Sequence, residues 1–185
     1  MRKAALALLV SAASISPATA DEVRPRPQTF QIAQSGITFL TGDSWRQDNQ
    51  VMRLYGVQAC LRGSSYTYRS GQKQDCGAVA LAMLAAIVKD TRPTCTPIAQ
   101  LSLQASAPPS TILVICTAHI GKNTLDLGAM LITQGFGFAA LANSGEPVYM
   151  PYSIEESIAQ QARAGLWAFD DMPHPNRSLL GAIKQ

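Results

Sequence analysis

The chain has 185 residues, of which 47% are hydrophobic, 15% charged and 6% aromatic. This length and composition suit one domain and exclude an intrinsically disordered or collagen-like protein. Without Arg2 and Lys3, which lie in an expected leader, the 15 basic residues fall to 13 against 12 acidic ones. The resulting net charge of +1 does not support broad electrostatic attraction to nucleic acid.

Residues 1–20 have the pattern of a secretory signal peptide. Arg2 and Lys3 form a basic start, residues 4–10 are apolar, and Ala18-Thr19-Ala20 is the small-x-small site that signal peptidase cleaves. A transmembrane helix needs about 20 apolar residues, and neither this run nor any later one is long enough. We therefore expect cleavage before Asp21 and export to the periplasm or the medium, with a buried N-terminal helix as the alternative.

The first half of the exported chain is predicted to be mainly β. After an extended tail over residues 21–28, the expected strands cover residues 29–40, with a break at Ser35-Gly36, and residues 50–57. A turn is expected at 41–44 and a polar, glycine-flanked loop at 63–73. Asp75 is a favourable N-cap for a mostly buried helix from about residue 76 to 89.

The second half alternates strands and helices. Thr94 begins a strand, Pro108-Pro109 marks a turn, and the β-branched run over residues 112–116 predicts a central strand. Further elements are a helix near residues 125–133 opened by Asn123-Thr124, a short extended piece over 136–140, and a third helix to about Ala164. Ser153 and Glu156 form a capping box in sequence that would start this third helix, and Gly165 would end it.

Four cysteines, an even number, lie in the exported part of the chain. In an oxidising compartment this favours two disulfides, and a zinc site is not expected because there is no CxxC pair and only His119 and His174 could assist. We expect His119 to be a solvated residue at a hairpin tip and His174 to be a tail residue. Neither has a sequence partner that would indicate a catalytic triad.

Several motifs, in their order and spacing, resemble the thermonuclease-like (staphylococcal nuclease homologue) family. The front half contributes Gly42-Asp43-Ser44, Arg53-Leu54-Tyr55-Gly56-Val57 and Cys76-Gly77-x-x-Ala80. The back half contributes Cys116, Asp126-Leu127-Gly128-Ala129-Met130-Leu131, Gln134-Gly135-Phe136, Tyr152-x-x-x-Glu156, Ala162-Arg163 and Gly165-Leu166-Trp167.

This resemblance covers residues 32–173 and implies an α+β fold that is mainly a β barrel: a five-stranded OB-type barrel with three helices. The domain would span residues 29–173, followed by a C-terminal tail over 174–185. The expected core includes Ile37, Leu54, Leu84, Val114 and Leu131. An unrelated small α+β domain is the alternative.

The expected disulfides are Cys60–Cys76 and Cys95–Cys116, one of three possible pairings. Cys95 and Cys116 lie on consecutive predicted strands, where antiparallel neighbours bring β-carbons close together. Cys60 and Cys76 bracket the polar loop. Against the family pattern, Cys60 also stands where the family has a proline, so the resemblance implies a site loop held by a disulfide.

The nuclease chemistry of the family carries over only in part. Family members cleave phosphodiesters with a calcium ion, two carboxylates that hold it, a glutamate and two arginines. By position, Asp43 and Arg53 remain, whereas Thr41 and Gln58 replace the other acidic positions and Leu61 replaces the glutamate. The second arginine falls at about residues 109–111, which contain no arginine. The resemblance therefore implies a degenerate site with no metal, no cofactor and negligible nuclease activity.

The leading hypothesis is an exported pseudoenzyme that acts as an accessory or binding protein of the cell envelope, with exopolysaccharide (succinoglycan) biosynthesis as the process that the resemblance implies. Its partners would be envelope glycans or polysaccharide-assembly proteins. The ligand-binding candidates are Arg53, Tyr66, Tyr68 and Arg69. Alternatives are a simple Asp43–Arg53 ion pair, a secreted calcium-dependent phosphodiesterase whose site is rebuilt with Asp48 or Glu156, and a protein-interaction module with an exposed apolar patch.

Overall fold

The computed structural model describes residues 28–101, 110–177 and 179. The expected signal peptide, nearly all of the N-terminal tail, the Pro108-Pro109 turn and most of the C-terminal tail lie outside these residues. The described part is mixed α+β, with eleven strands, three α-helices, one 3₁₀ helix and a further helical stretch at residues 175–177. None of its helices combines the length and the apolar character that a bilayer span requires.

Seven strands precede the first helix: β1 (Phe30–Gln31), β2 (Thr38–Thr41), β3 (Ser44–Gln47), β4 (Gln50–Leu54), β5 (Val57–Ala59), β6 (Ser65–Thr67) and β7 (Lys73–Asp75). The remaining elements are α1 (Cys76–Thr91), β8 (Thr94–Leu101), β9 (Thr111–Ile120), β10 (Asn123–Asp126), α2 (Leu127–Thr133), β11 (Gly137–Ala139), α3 (Met150–Gln161) and a 3₁₀ helix (Gly165–Ala168).

The main sheet is a strongly curled half-barrel. Its strand order is β1-β8-β9-β4-β3-β2, and β10 also pairs with β9. Neighbours run antiparallel except β4 and β9, which are parallel. β1 and β2 lie at opposite edges of this order although only residues 32–37 separate them in sequence, which fits the curl. Two smaller sheets pair β11 with β5 and β6 with β7.

The predicted central strand is confirmed by β9, which has neighbours on both sides. Val114 and Cys116 on this strand are buried, whereas Ile115 between them faces outward, as the alternation of a strand requires. The other predicted core residues Leu54, Leu84 and Leu131 are also buried, and Ile37 packs against this core while partly exposed. The predicted core is therefore confirmed.

The two predicted disulfides are both present, and each belongs to a different apolar cluster. Cys95–Cys116 joins directly paired residues of β8 and β9 inside the main core. Cys60–Cys76 joins the end of β5 to the start of α1 inside a smaller cluster that also contains Phe138. Each cluster therefore has its own covalent cross-link.

Helix α1 begins as predicted, but α2 begins later. Asp75 is the N-cap of α1, and its side chain accepts a hydrogen bond from the Ala78 amide at 2.9 Å. Asn123 and Thr124 were expected to open α2, yet they lie in β10, paired with Ile120 and His119. Asp126 caps α2 instead. Strand pairing with the preceding β9 therefore prevails over the local helix-start signal.

The predicted capping box of α3 is wrong. The helix begins at Met150, with its N-cap at Tyr149, four residues before the predicted cap Ser153, and Pro151 lies in its first turn. The Ser153 hydroxyl consequently lies within the helix and donates to the Met150 carbonyl, while Glu156 accepts from elsewhere in the fold. The end also differs, because α3 stops at Gln161 rather than near Ala164. Proline at a first-turn position is favourable because its missing N–H would have no partner there.

Residues 63–73 were expected to form a loop and instead contribute to a β-hairpin. β6 and β7 pair antiparallel, with Thr67 opposite Lys73. The Asp171 carboxylate accepts from the Thr67 amide and hydroxyl and from Lys73 Nζ. Hydrogen bonds from Thr67 and Lys73 hold the pKa of Asp171 well below its usual range. Asp171, which is distant in sequence, thus stabilises a hairpin whose own residues have the composition of a loop.

The Asp75 cap gives a testable pH dependence. Burial alone would raise the pKa of Asp75, but hydrogen bonds from Ala78 and Gly63 and the nearby Arg62 guanidinium lower it overall. A lowered folded-state pKa means that the stabilisation is complete above the unfolded-state pKa and is lost as the pH falls through the folded-state pKa. Asp75→Ala should therefore cost about 1–2 kcal/mol at pH 7 and clearly less at pH 2, measured by urea unfolding.

Asp75→Asn is the matched control, because asparagine caps helices as well as aspartate but does not titrate. Its loss relative to the parent should be smaller than that of Asp75→Ala at pH 7 and should also shrink towards pH 2, because the parent carboxylate titrates. The difference in stability between the two variants, neither of which titrates at this position, should be nearly independent of pH. Equal losses for Asp75→Ala at both pH values would contradict the assigned role of the carboxylate charge.

Candidate functional site

The two residual family positions, Asp43 and Arg53, meet at a cleft on the curled sheet. Asp43 lies in the turn between β2 and β3, and Arg53 lies on β4 opposite Ser44 of β3. Gln58 follows on β5. The cleft has a volume of about 740 Å³ and is lined by Thr41, Asp43, Ser44, Val51, Arg53, Gln58, Ala59, Cys60, Leu61, Arg62, Leu101, Thr111 and Leu179.

Asp43 is held internally on both of its carboxylate oxygens. It is only 3% exposed, and Oδ2 accepts a hydrogen bond from Arg53 Nε at 3.0 Å. The Thr41 hydroxyl donates to Oδ1. The Arg53 side chain is 40% exposed, and its terminal nitrogen also donates to Gln58 Oε1 at 2.9 Å. The buried carboxylate is thus neutralised by a guanidinium that still reaches the solvent.

These residues do not fit a calcium site. Calcium takes six to eight oxygen ligands, usually with several carboxylates among them. Among the described residues that line the cleft, Asp43 is the one carboxylate, and both of its oxygens are already bonded. Asp48 and Glu156, the candidate replacements, do not line the cleft. Across residues 28–101, 110–177 and 179, no three histidine, cysteine or acidic side chains are grouped so that they could hold a metal ion.

A second arginine, Arg62, lines the cleft and was not singled out from the sequence. Its Nε donates to Asp75 at 3.3 Å, and more than half of its side chain is exposed. Its only sequence signal was its position two residues after Cys60, whose disulfide to α1 holds this stretch beside the cleft. Arg53 and Arg62 together give the cleft exposed N–H donors, next to the side-chain oxygens of Gln58 and Thr111.

The four ligand-binding candidates lie in different surroundings. Arg53 lies in the cleft, whereas Tyr68 and Arg69 are exposed at the β6–β7 hairpin and do not line it. Tyr66 is buried, with its hydroxyl donating to Gln74 and its ring 4.5 Å from that of Phe169. Burial, together with the neighbouring Tyr68, raises the pKa of Tyr66. Of the three candidates in this hairpin, Tyr68 and Arg69 are therefore the ones exposed to solvent.

His174 is not a solvated tail residue. Its Nε2 lies 2.9 Å from Glu156 Oε1, and both side chains are mostly buried. The ring packs edge-on against Phe138. Glu156 Oε2 also accepts from the Ala139 amide, while Asn176 donates to the Ala139 carbonyl. The segment that contains His174 and Asn176 is therefore held against β11 by side-chain hydrogen bonds. His119, in contrast, is exposed and contacts Thr124, as expected for a residue near a hairpin tip.

Comparison with known proteins assigns no family to the chain. It matches no protein-family model, and no curated protein is similar to it at a significant level. A functional assignment therefore depends on the geometry of the cleft and on the motifs in the sequence.

Proposed function

We propose that the chain is an exported, non-catalytic, thermonuclease-like protein that serves as an accessory or binding protein of the cell envelope. The observation that carries this proposal is the internal neutralisation of Asp43 by Arg53, in a cleft whose wall has Leu61 instead of an acid. A carboxylate engaged in this way does not activate water, and leucine cannot accept a proton. The cleft retains a binding surface without a catalytic base.

The sheet supports the OB-type part of the proposal. Five strands that are adjacent in the sheet order, β8-β9-β4-β3-β2, form one curled sheet, and β1 extends the β8 edge. β1 and β2 lie at opposite edges of this sheet but are separated by only a few residues in sequence. The short connection therefore holds near each other the two edges that would meet in a closed barrel. Among the described residues, three α-helices, one 3₁₀ helix and a helical stretch at residues 175–177 accompany this sheet, whereas the resemblance implies three helices.

The cleft favours a polar oligosaccharide as its ligand. Guanidinium groups donate in a fixed fork that matches carboxylate and phosphate oxygens, and their N–H groups also donate to sugar hydroxyls. Arg53 and Arg62 are both partly exposed in the cleft, and Thr111 and Gln58 add neutral polar groups. OB-type barrels bind oligosaccharides and oligonucleotides on such a face. The near-neutral exported chain favours the sugar, and succinoglycan-type exopolysaccharide is the class that the resemblance suggests.

A nuclease assay separates this proposal from the calcium-dependent alternative. Oxidised protein in calcium buffer, incubated with DNA or RNA beside a catalytically complete family member, should be slower by a factor of at least about 10³. Arg53→Ala should leave that background unchanged. Calcium-dependent cleavage comparable to the complete enzyme, and abolished by Arg53→Ala, would establish the alternative.

Calorimetric titration with envelope glycan fractions tests the binding role. Arg62→Gln should weaken binding about fivefold, because it removes a partly exposed charged donor. Asp75 keeps its hydrogen bonds from the Ala78 and Gly63 amides in this variant. Arg46→Gln is the matched control, since Arg46 is exposed on β3 but does not line the cleft. No heat with any fraction, or equal losses for both variants, would contradict a glycan site in this cleft.

A further inference from the structure

A second, smaller recess opens beside the start of α3. It has a volume of about 190 Å³ and shares no lining residue with the Asp43–Arg53 cleft. Ile115 and Asp126 reach it from the outer side of β9 and β10. Tyr149 is the N-cap of α3, and Glu155 lies further along that helix. Its lining is Tyr55, Ile115, Asp126, Ala129, Tyr149, Pro151, Tyr152 and Glu155.

The recess holds two carboxylates without a countercharge. Asp126 Oδ1 accepts from the Ala129 amide and from the Tyr152 hydroxyl, which are both neutral donors. Glu155 Oε2 is buried and has no hydrogen-bond partner among the residues that the structure describes. Within the described part of the chain, no lysine, arginine or histidine forms an ion pair with either residue. Burial and the negative charge of Asp126 raise the pKa of Glu155, in accord with this lack of a cation.

Three tyrosines surround these carboxylates. The rings of Tyr149 and Tyr152 meet edge-on, with centroids 4.9 Å apart, and Tyr55 is anchored by its hydroxyl to the Val148 carbonyl. The faces of aromatic rings attract cations, and carboxylates in a partly desolvated site strengthen that attraction. The recess therefore has the lining of a site for a cationic group the size of an ammonium or guanidinium.

An exposed apolar stripe runs along α3 from the mouth of the recess. Met150, Ile154 and Ile158 are 59%, 58% and 59% exposed. Residues four apart lie on one face of a helix, so these three form a continuous row. Glu155 lies beside the row on the side of the recess, and exposed Tyr149 lies at its end. Three large apolar side chains in one row, so exposed, indicate an interaction surface.

We propose that this surface docks a segment of another polypeptide, which inserts a lysine or arginine side chain between Asp126 and Glu155 and places apolar side chains along Met150, Ile154 and Ile158. Charge complementarity selects the occupant, because the described residues that line the recess include two acidic groups and no basic one. The same charges disfavour an anionic lipid surface. This inference does not depend on the glycan proposal, because the two sites share no residue.

A pair of synthetic peptides tests the inference. One carries a single lysine flanked by leucines, and its twin has glutamine in place of the lysine. In amide NMR titrations at constant ionic strength, the lysine peptide should bind about fivefold more tightly and should shift the signals of Tyr149, Ile154 and Glu155. Glu155→Gln should reduce its affinity to that of the twin, and Ile154→Ser should weaken both peptides.

Glu146→Gln is the control, because Glu146 is an exposed acid that does not line the recess, and it should change neither affinity. Glu155→Gln should fold normally, since it removes a charge from a partly buried, unpaired group. Equal affinity of the two peptides, or shifts confined to other regions, would overturn the inference. Binding to phosphatidylcholine vesicles that Glu155→Gln abolishes, without a preference for the lysine peptide, would replace the polypeptide partner by a lipid headgroup.

Discussion

Replacement of Gly135 by alanine should destabilise the protein by about 2–4 kcal/mol. Gly135 has φ +76°, and a Cβ built on it would lie 2.1 Å from the Ala164 carbonyl oxygen and 2.6 Å from the Ala164 carbonyl carbon. Both are backbone atoms, so no side chain can rotate away. The Gly135 carbonyl also accepts from the Leu166 amide, which brings the segment after α3 against the end of α2. Alanine would have to separate these two segments.

Urea unfolding monitored by circular dichroism measures this loss, and Gly145→Ala is its control. Gly145 also has a positive φ, +87°, but an added Cβ would meet no atom within 4 Å. Its loss should be about 1 kcal/mol, the cost of the backbone conformation alone. Losses of equal size at the two positions would show that the close approach of Gly135 to Ala164 is unimportant.

Removal of the Cys95–Cys116 disulfide, with both residues changed to alanine, should destabilise the protein by about 3 kcal/mol. The bond closes a loop with a sequence separation of 21 residues, and in the chain-entropy account its loss enlarges the unfolded ensemble. Both cysteines are fully buried in the main core, so the smaller alanines add a packing loss.

The Cys60/Cys76 double alanine variant provides the comparison. Its separation of 16 residues predicts an entropic loss nearly as large, and its sulfurs lie in the smaller cluster. Unfolding in urea under oxidising conditions, with the slope of the transition recorded for each variant, measures both losses. A Cys95/Cys116 variant as stable as the parent protein would contradict the assigned role of the cross-link.

Several elements could be predicted because their signals are local. The β-branched run of β9 has few alternatives to a buried strand, and Asp75 is followed directly by an apolar helical stretch. The disulfide pairing also followed from order along the chain, because Cys95 and Cys116 are directly opposite in adjacent strands. In each case the residues that decide the structure are close in sequence or in strand order.

The errors arose where distant contacts prevail. Asn123 and Thr124 look like a helix start, but pairing with β9 extends them. Glu156 completes a capping-box pattern, yet its carboxylate bonds the Ala139 amide and His174. The β6–β7 hairpin depends on Asp171, about a hundred positions further along the chain. No window of neighbouring residues contains these partners.

In the candidate site, too, the contacts set by neighbouring elements could be predicted and the contacts between distant residues could not. The adjacency of Asp43 and Arg53 follows from the turn and strand that carry them, and the family resemblance had already paired them. No sequence motif predicts that Arg62 lines the cleft. The recess at Asp126 and Glu155 combines residues from β10 and α3, and neither residue has a sequence neighbour that predicts the other.

The attachment of side chains to β11 has a consequence for solubility. The outward edge of a short strand offers an amide and a carbonyl that a strand from another molecule could adopt. At Ala139 those two groups are taken by the Glu156 carboxylate and the Asn176 amide. These side chains occupy the edge of β11, where the backbone of another strand could otherwise pair. If only the segment around His174 unfolded, this edge would become available for pairing with a strand of another molecule.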